Sequence, residues 1–253
     1  MATGKKASTR RSSARSTRAT ASAKSVYSVR IYKGDYLERQ RQANADKCVA
    51  YVEHHFNSSE SPAASYAVAI TGANASQTSR NWGRWYAQAV AREFGVPVGG
   101  EQGIVVGGYD GRGDYNLRFT NMPAILLEPL FASNPQHAGI LRSDEGQTRL
   151  ATILCDSIQR FFQNGGRIGF SVGHKYKTSR PNDRGAPVAG GGWEADFAEA
   201  VLLKATAQLE GISAPQEERV VRVVQGESEL WRYTVDADAD LRWDPVRGVL
   251  RIP

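Results

Sequence analysis

The stretch Ile168-Gly-Phe-Ser-Val-Gly-His174-Lys-Tyr-Lys-Thr-Ser-Arg-Pro-Asn-Asp183-Arg-Gly-Ala-Pro-Val-Ala-Gly-Gly-Gly-Trp-Glu194 contains a strand, a loop and a helix start in succession. The apolar run Ile168–Val172 reads as a buried strand that delivers Gly173-His174 to its C-terminal end, where open α/β sheets place their sites. A loop rich in Gly, Pro, Asn and Asp follows. The spacing of Phe197, Val201, Ala205 and Leu209 then predicts an amphipathic helix with Glu194 in its first turn. An imidazole and a carboxylate at the mouth of one βα unit make half of a zinc site, which needs three protein ligands and one open position for catalysis. Glu199, on the same helix, is a rival to Glu194. Asp183 and Asp196 read as loop and surface acids.

Working outward, the same alternation of apolar runs and helical patterns continues upstream. Strands are expected at Val26–Tyr32, Cys48–Val52, Tyr66–Ile70 and Met122–Glu128. Helices are expected at Tyr36–Asp46, Ser79–Phe94 and Ser143–Phe162, with Phe131–Pro135 as a turn and Asn164-Gly-Gly as the stop before Ile168. Residues 95 to 114 are Gly-rich and read as a loop or short strands rimming a cleft. Two strand ends carry chemistry. Glu53-His54-His55 closes one, where neighbouring side chains face opposite ways, so one His of the pair joins a site on a given side. Glu128 closes another, a carboxylate at the end of a buried strand that burial makes costly unless partnered.

The chain has 253 residues with formal net charge +6, enough for one sizeable core. Residues 1 to 25 hold seven Lys and Arg and no acid, so the remainder is nearly neutral at −1. That tail has no bulky apolar residue after Met1 and is expected to be disordered; its charge suits contact with an anionic polymer such as a bacterial envelope. The near-neutral body has no extended basic face with interleaved aromatics, so nucleic acid is not an expected partner. No stretch reaches the ~20 apolar residues of a membrane span, and no apolar core follows the basic start as a standard signal peptide requires. Cys48 and Cys155 lie in patterned segments and read as buried thiols. After Gly211 the runs Glu217–Gln225, Glu229–Val235 and Val249–Pro253 read as short strands.

Taken together, the strand-end residues resemble the zinc-dependent N-acetylmuramoyl-L-alanine amidases of the catalytic-Glu type, which cleave bacterial peptidoglycan. Gly173-His174, the Asp183-Arg-Gly-Ala186 loop and Glu194 are similar to that family's Gly-His strand end, Asp-x-Gly-Ala-like loop and helix-opening Glu. Leu37–Asn44 resembles its Arg-x-x-x-Ala-Asn helix, with Arg39 or Arg41 as the arginine. His55-Phe56-Asn57 stands at its Ser-Ile-His-Ala-Asn position, and Pro123–Asn134 resembles the block with its catalytic Glu. Lys175-Tyr176, Phe56 and Pro129 depart from the family pattern. The order also differs, since the family's first block is last here, so the resemblance implies a circularly permuted amidase or a domain-swapped dimer.

The resemblance thus implies an α/β fold, a mixed, mostly parallel sheet flanked by helices over residues 26 to 210, and the strand pattern after Gly211 adds a small C-terminal β segment at 211 to 253. It implies Zn2+ held by His174, Glu194 and His55, and Glu128 as general base in hydrolysis of the bond between N-acetylmuramic acid and L-alanine. The substrate would be peptidoglycan and the place of action the bacterial cell wall, as for an endolysin released by lysis or a hydrolase exported by another route. The reading of a different class is a non-catalytic envelope- or virion-associated binding protein that keeps the fold.

Overall fold

The computed structural model describes Met1, residues 26–211 and, as backbone, the strands at 219–225, 228–235, 242–244 and 249–251. The basic tail at 2–25 lies outside the described residues, and with it the expectation of disorder.

The elements run β1 (Tyr27–Tyr32), α1 (Tyr36–Ala45), β2 (Ala50–His54), β3 (Val68–Thr71), α2 (Gln77–Phe94), β4 (Ile104–Val106), β5 (Gly108–Tyr109), β6 (Arg112–Gly113), β7 (Ala124–Glu128), α3 (Pro135–Arg142), α4 (Asp144–Phe161), β8 (Gly166–Val172) and α5 (Glu194–Glu210). Four more strands follow, β9 (Arg219–Gln225), β10 (Ser228–Val235), β11 (Arg242–Asp244) and β12 (Val249–Arg251). β9 pairs with β10 and β11 with β12, each an antiparallel pair outside the main sheet.

The main sheet has six strands in the order β1-β8-β2-β7-β3-β4, and all neighbours are parallel except β3 against β7. This is the mixed, mostly parallel α/β sheet expected from the sequence. β2 is buried along its whole length, as a central strand covered on both faces must be, whereas edge strand β1 alternates. β8 sits between β1 and β2, although it is the last of the six in the chain.

Helices α2, α3, α4 and α5 bury their apolar faces in one large core with Trp82, Tyr86, Leu150, Leu154, Ile158, Val201 and Leu202. On α2, Trp82 and Tyr86 are fully buried in this core. A smaller cluster built on Tyr32, Ala43, Cys48, Tyr51, Ile70, Leu117 and Leu126 fills the other face. Both cysteines are buried and free. Three of the helix starts are capped by side chains. Ser76 and Ser143 accept from the backbone N–H groups of Ser79 and Gly146, and Asn134 caps α3 by accepting from Gln136 and His137. The Phe131–Pro135 turn is present, but the helix α3 that follows it was not expected from the sequence. Pro135 is at the first turn of that helix, where its missing N–H costs nothing. Among the described residues no helix is long and apolar enough to cross a membrane.

Candidate active site and metal centre

Parallel register assembles the site. β2 and β8 run side by side with His54 opposite Val172, so the residues just past both strand ends, His55 and Gly173-His174, emerge together. The glycine is required by its neighbour: a Cβ at Gly173 would lie 2.4 Å from Nδ1 and Cε1 of His55. His174 itself adopts φ 62°, a left-handed turn that swings its ring back over the strand end. Glu194 opens α5, where the helix N-terminus favours a carboxylate. Its Oε2 accepts from the Ala186 N–H at 3.0 Å, tying the helix start to the Asp183–Ala186 loop. Gly185 (φ 73°) admits that carboxylate, since a Cβ there would lie 2.5 Å from the carboxyl carbon of Glu194.

His55, His174 and Glu194 converge, with one ligand atom from each within 4.8 Å of the others, as a metal ion requires. Oε1 of Glu194 lies 2.9 Å from His174 Nε2 and 3.3 Å from His55 Nδ1. Two imidazole nitrogens and one carboxylate are a donor set suited to zinc with an open position. The charges fit as well. Burial opposes ionisation of Glu194, but hydrogen bonds from His174 and His55 outweigh it and bring its pKa to about 2. Burial likewise opposes a charge on His55, yet the Glu194 and Glu53 carboxylates lift its pKa to about 10. The carboxylates around His55 thus favour positive charge at this point, which a cation can supply.

Glu128, at the end of β7, lines the same cleft as these three residues. Its Oε2 is buried without a hydrogen-bond partner. Burial, with a smaller push from the Glu194 and Glu53 carboxylates, raises its pKa to about 8 against the opposing pull of His55. Tyr109 and Arg112 from the β5–β6 hairpin, Arg180 from the loop after β8, and Asn57 complete the rim. The Gly-rich segment therefore does border the cleft.

All four residues singled out from the sequence meet in this cleft. The alternatives do not. His54 faces the opposite side of the sheet, buried against Phe56 with ring centroids 5.0 Å apart and with neither nitrogen partnered. Glu199 is taken by Lys175 and Tyr176. Of the two arginines on α1, Arg39 is fully buried and donates to Gly34, Ser171, Val172 and Lys175, whereas Arg41 is exposed. Asp196 is a surface acid paired with Lys175 and Arg184. Asp183 is more than the loop acid expected, because its Oδ1 holds Nδ1 of His174 at 3.0 Å. Glu53, in hydrogen-bond contact with His55, had not been singled out from the sequence, although strand alternation places it on the same face as His55.

The sequence model of the N-acetylmuramoyl-L-alanine amidase family matches residues 8–160. Solved structures similar to the chain include the catalytic domain of CwlV, an N-acetylmuramoyl-L-alanine amidase from Bacillus (Paenibacillus) polymyxa var. colistinus, at 27% identity and TM-score 0.42. Another is an N-acetylmuramoyl-L-alanine amidase from Clostridium difficile 630, at 19% identity and TM-score 0.44. In both cases the match covers 51% of this chain and 66% of the other. A search of curated proteins gave no match.

Proposed function

This chain belongs to the N-acetylmuramoyl-L-alanine amidase family, and from that premise we propose that it hydrolyses the amide between N-acetylmuramic acid and the L-alanine of the peptidoglycan stem peptide. In this reading His55, His174 and Glu194 hold a zinc ion and Glu128 is the general base. The carrying observation is the free, buried Oε2 of Glu128 in the same cleft as the His-His-Glu cluster. A pure binding site has no use for an unpartnered buried carboxylate, which costs free energy without return.

Zinc held there supplies an acidified water and a polarised carbonyl. The chain's own groups do the rest. Glu128 takes a proton from the attacking water on Oε2 and returns it to the departing L-alanine amine. Burial raises its pKa, which strengthens the carboxylate as a base towards the water proton. The guanidinium groups of Arg112 and Arg180 on the rim suit the carboxylates of a stem peptide. The place of action is the bacterial cell wall, and the basic tail suits approach to its anionic polymers.

The order of the blocks supports a second part of the reading, that the chain is a circular permutant. His174 and Glu194 lie beyond the matched residues 8–160, yet β8 inserts between β1 and β2 within one chain. The α4–β8 connection is only the short stretch Phe162–Gly165, the kind of surface join that tolerates rewiring.

The test is digestion of purified peptidoglycan by wild-type protein and by Glu128→Gln, each with and without a chelator and zinc re-addition. Glycan strands and free peptides with N-terminal L-alanine are scored by mass. Release that needs metal and falls ~10²–10⁴-fold in the variant is expected. A zinc-loaded protein that releases nothing from several peptidoglycan types refutes hydrolysis and leaves the binding-protein reading. Absence of bound zinc refutes the ligand assignment.

A further inference from the structure

We propose that Glu53 is a positioning residue of the metal centre: its carboxylate holds His55 by Nε2 and so commits Nδ1 to the ion. The inference rests on the metal reading above and concerns a residue that takes no part in the chemistry proposed there.

Glu53 is two residues before His55, which follows β2 directly and still bonds the Leu127 carbonyl of β7, so the strand's alternation puts both side chains on the same face. Its Oε1 lies 2.8 Å from His55 Nε2, and the residue is 0% exposed. A carboxylate taken out of water costs several kcal/mol unless it is fully partnered, and here the partnering is complete. Asn116 donates its amide N–H to Oε1, and Ser171, directly opposite on β8, donates its hydroxyl to Oε2 at 3.0 Å. That same hydroxyl accepts from the Arg39 guanidinium at 2.7 Å, so a buried cation backs the acid through one serine. Sheet stability alone gives no reason for such an arrangement, because an apolar side chain at position 53 would do as well or better.

The other imidazole is held the same way. Nδ1 of His174 meets Oδ1 of Asp183 at 3.0 Å, and Lys177 backs that acid at 2.8 Å. Each ring thus presents one nitrogen to a carboxylate outside the cluster and the other to Oε1 of Glu194, at 3.3 Å for His55 and 2.9 Å for His174. A carboxylate on the far nitrogen fixes the tautomer, sets the ring plane and raises the basicity of the ligating nitrogen.

The experiment compares full-length wild type and Glu53→Gln for zinc affinity by competition with a chromophoric chelator, for the visible spectrum of the cobalt-substituted protein, and for thermal unfolding without metal. Glu53→Gln should bind zinc about 10–100-fold more weakly and shift the cobalt bands. Ser171→Ala, which removes a support of Glu53 but leaves its contact with His55, should lower thermal stability while leaving the cobalt bands in place. If Glu53→Gln does not fold, Glu53→Asp, which keeps the charge and withdraws the oxygen, gives the same readings. Wild-type zinc affinity and cobalt bands in the Glu53 variant, with only the unfolding temperature lowered, would overturn the proposal. A wild-type protein that binds neither metal would overturn the metal reading and this inference with it.

Discussion

Replacing Gly173 by Ala tests whether the site depends on one close approach. A Cβ built on Gly173 falls 2.4 Å from Nδ1 and Cε1 of His55 and 2.5 Å from Nε2, whereas ordinary contact begins near 3.4 Å. The ring would have to retreat by about 1 Å, and a misplacement of that size costs on the order of 10²-fold in rate. It has nowhere to go without loss, because Nε2 is held by Glu53 at 2.8 Å and Nδ1 faces Glu194 at 3.3 Å. The backbone is no obstacle, since Gly173 is not among the residues with positive φ. We therefore expect Gly173→Ala to lose metal affinity and about 10²-fold of hydrolytic rate, at an overpacking cost of about 1–3 kcal/mol in stability. Gly139→Ala is the matched control, as its Cβ would meet nothing within 4 Å on the exposed face of α3. The measurements are chelator competition, peptidoglycan hydrolysis and urea unfolding of both variants. Wild-type affinity and rate in Gly173→Ala would refute the reasoning that ring position, set by this contact, governs the site.

Two further expectations concern stability. His54 is fully buried with both ring nitrogens unpartnered, and burial lowers its pKa to about 3; His54→Leu should stabilise the protein by about 1–3 kcal/mol, read as a higher unfolding midpoint, and a lower midpoint would contradict this. In the metal-free protein, His55 has its pKa raised from 6.5 to about 10 and Glu128 from 4.5 to about 8. The stability each contributes is full below its unfolded value and is lost as pH rises through its folded value. Denaturant midpoints of chelated protein should therefore decline from about pH 4.5 towards pH 10, and Glu128→Gln should flatten the part of the profile up to about pH 8; a flat wild-type profile would count against both assignments.

Much of this was legible in the sequence because strands and helices differ in period. Apolar runs ending in His55, Glu128 and His174 marked three strand ends, and four-residue spacing marked α5 behind Glu194. What was not legible depends on register and loop shape. Ser171 faces Glu53 only because β8 lies beside β2 in that alignment, and Asn116 arrives from the turn that follows the Gly-rich segment, which carries no periodic signal. Asp183 reaches His174 through the turn of its loop. Two signals were present and unread. Asn134-Pro135 is a cap followed by a first-turn proline, which announced α3, and the i, i+2 alternation of Glu53 and His55 announced their shared face.

The place of β8 in the sheet bears on how the chain is made. β1 pairs with no strand but β8 in the main sheet, and β1 ends at Tyr32 whereas β8 begins at Gly166. At ~5–20 residues/s of synthesis the first strand emerges on the order of 10 s before its partner exists. Two of the three cluster side chains, His174 and Glu194, are translated later still. A metal ion held by these three residues would find no complete ligand set until Glu194 has been made, so its loading would follow the closure of β8 between β1 and β2.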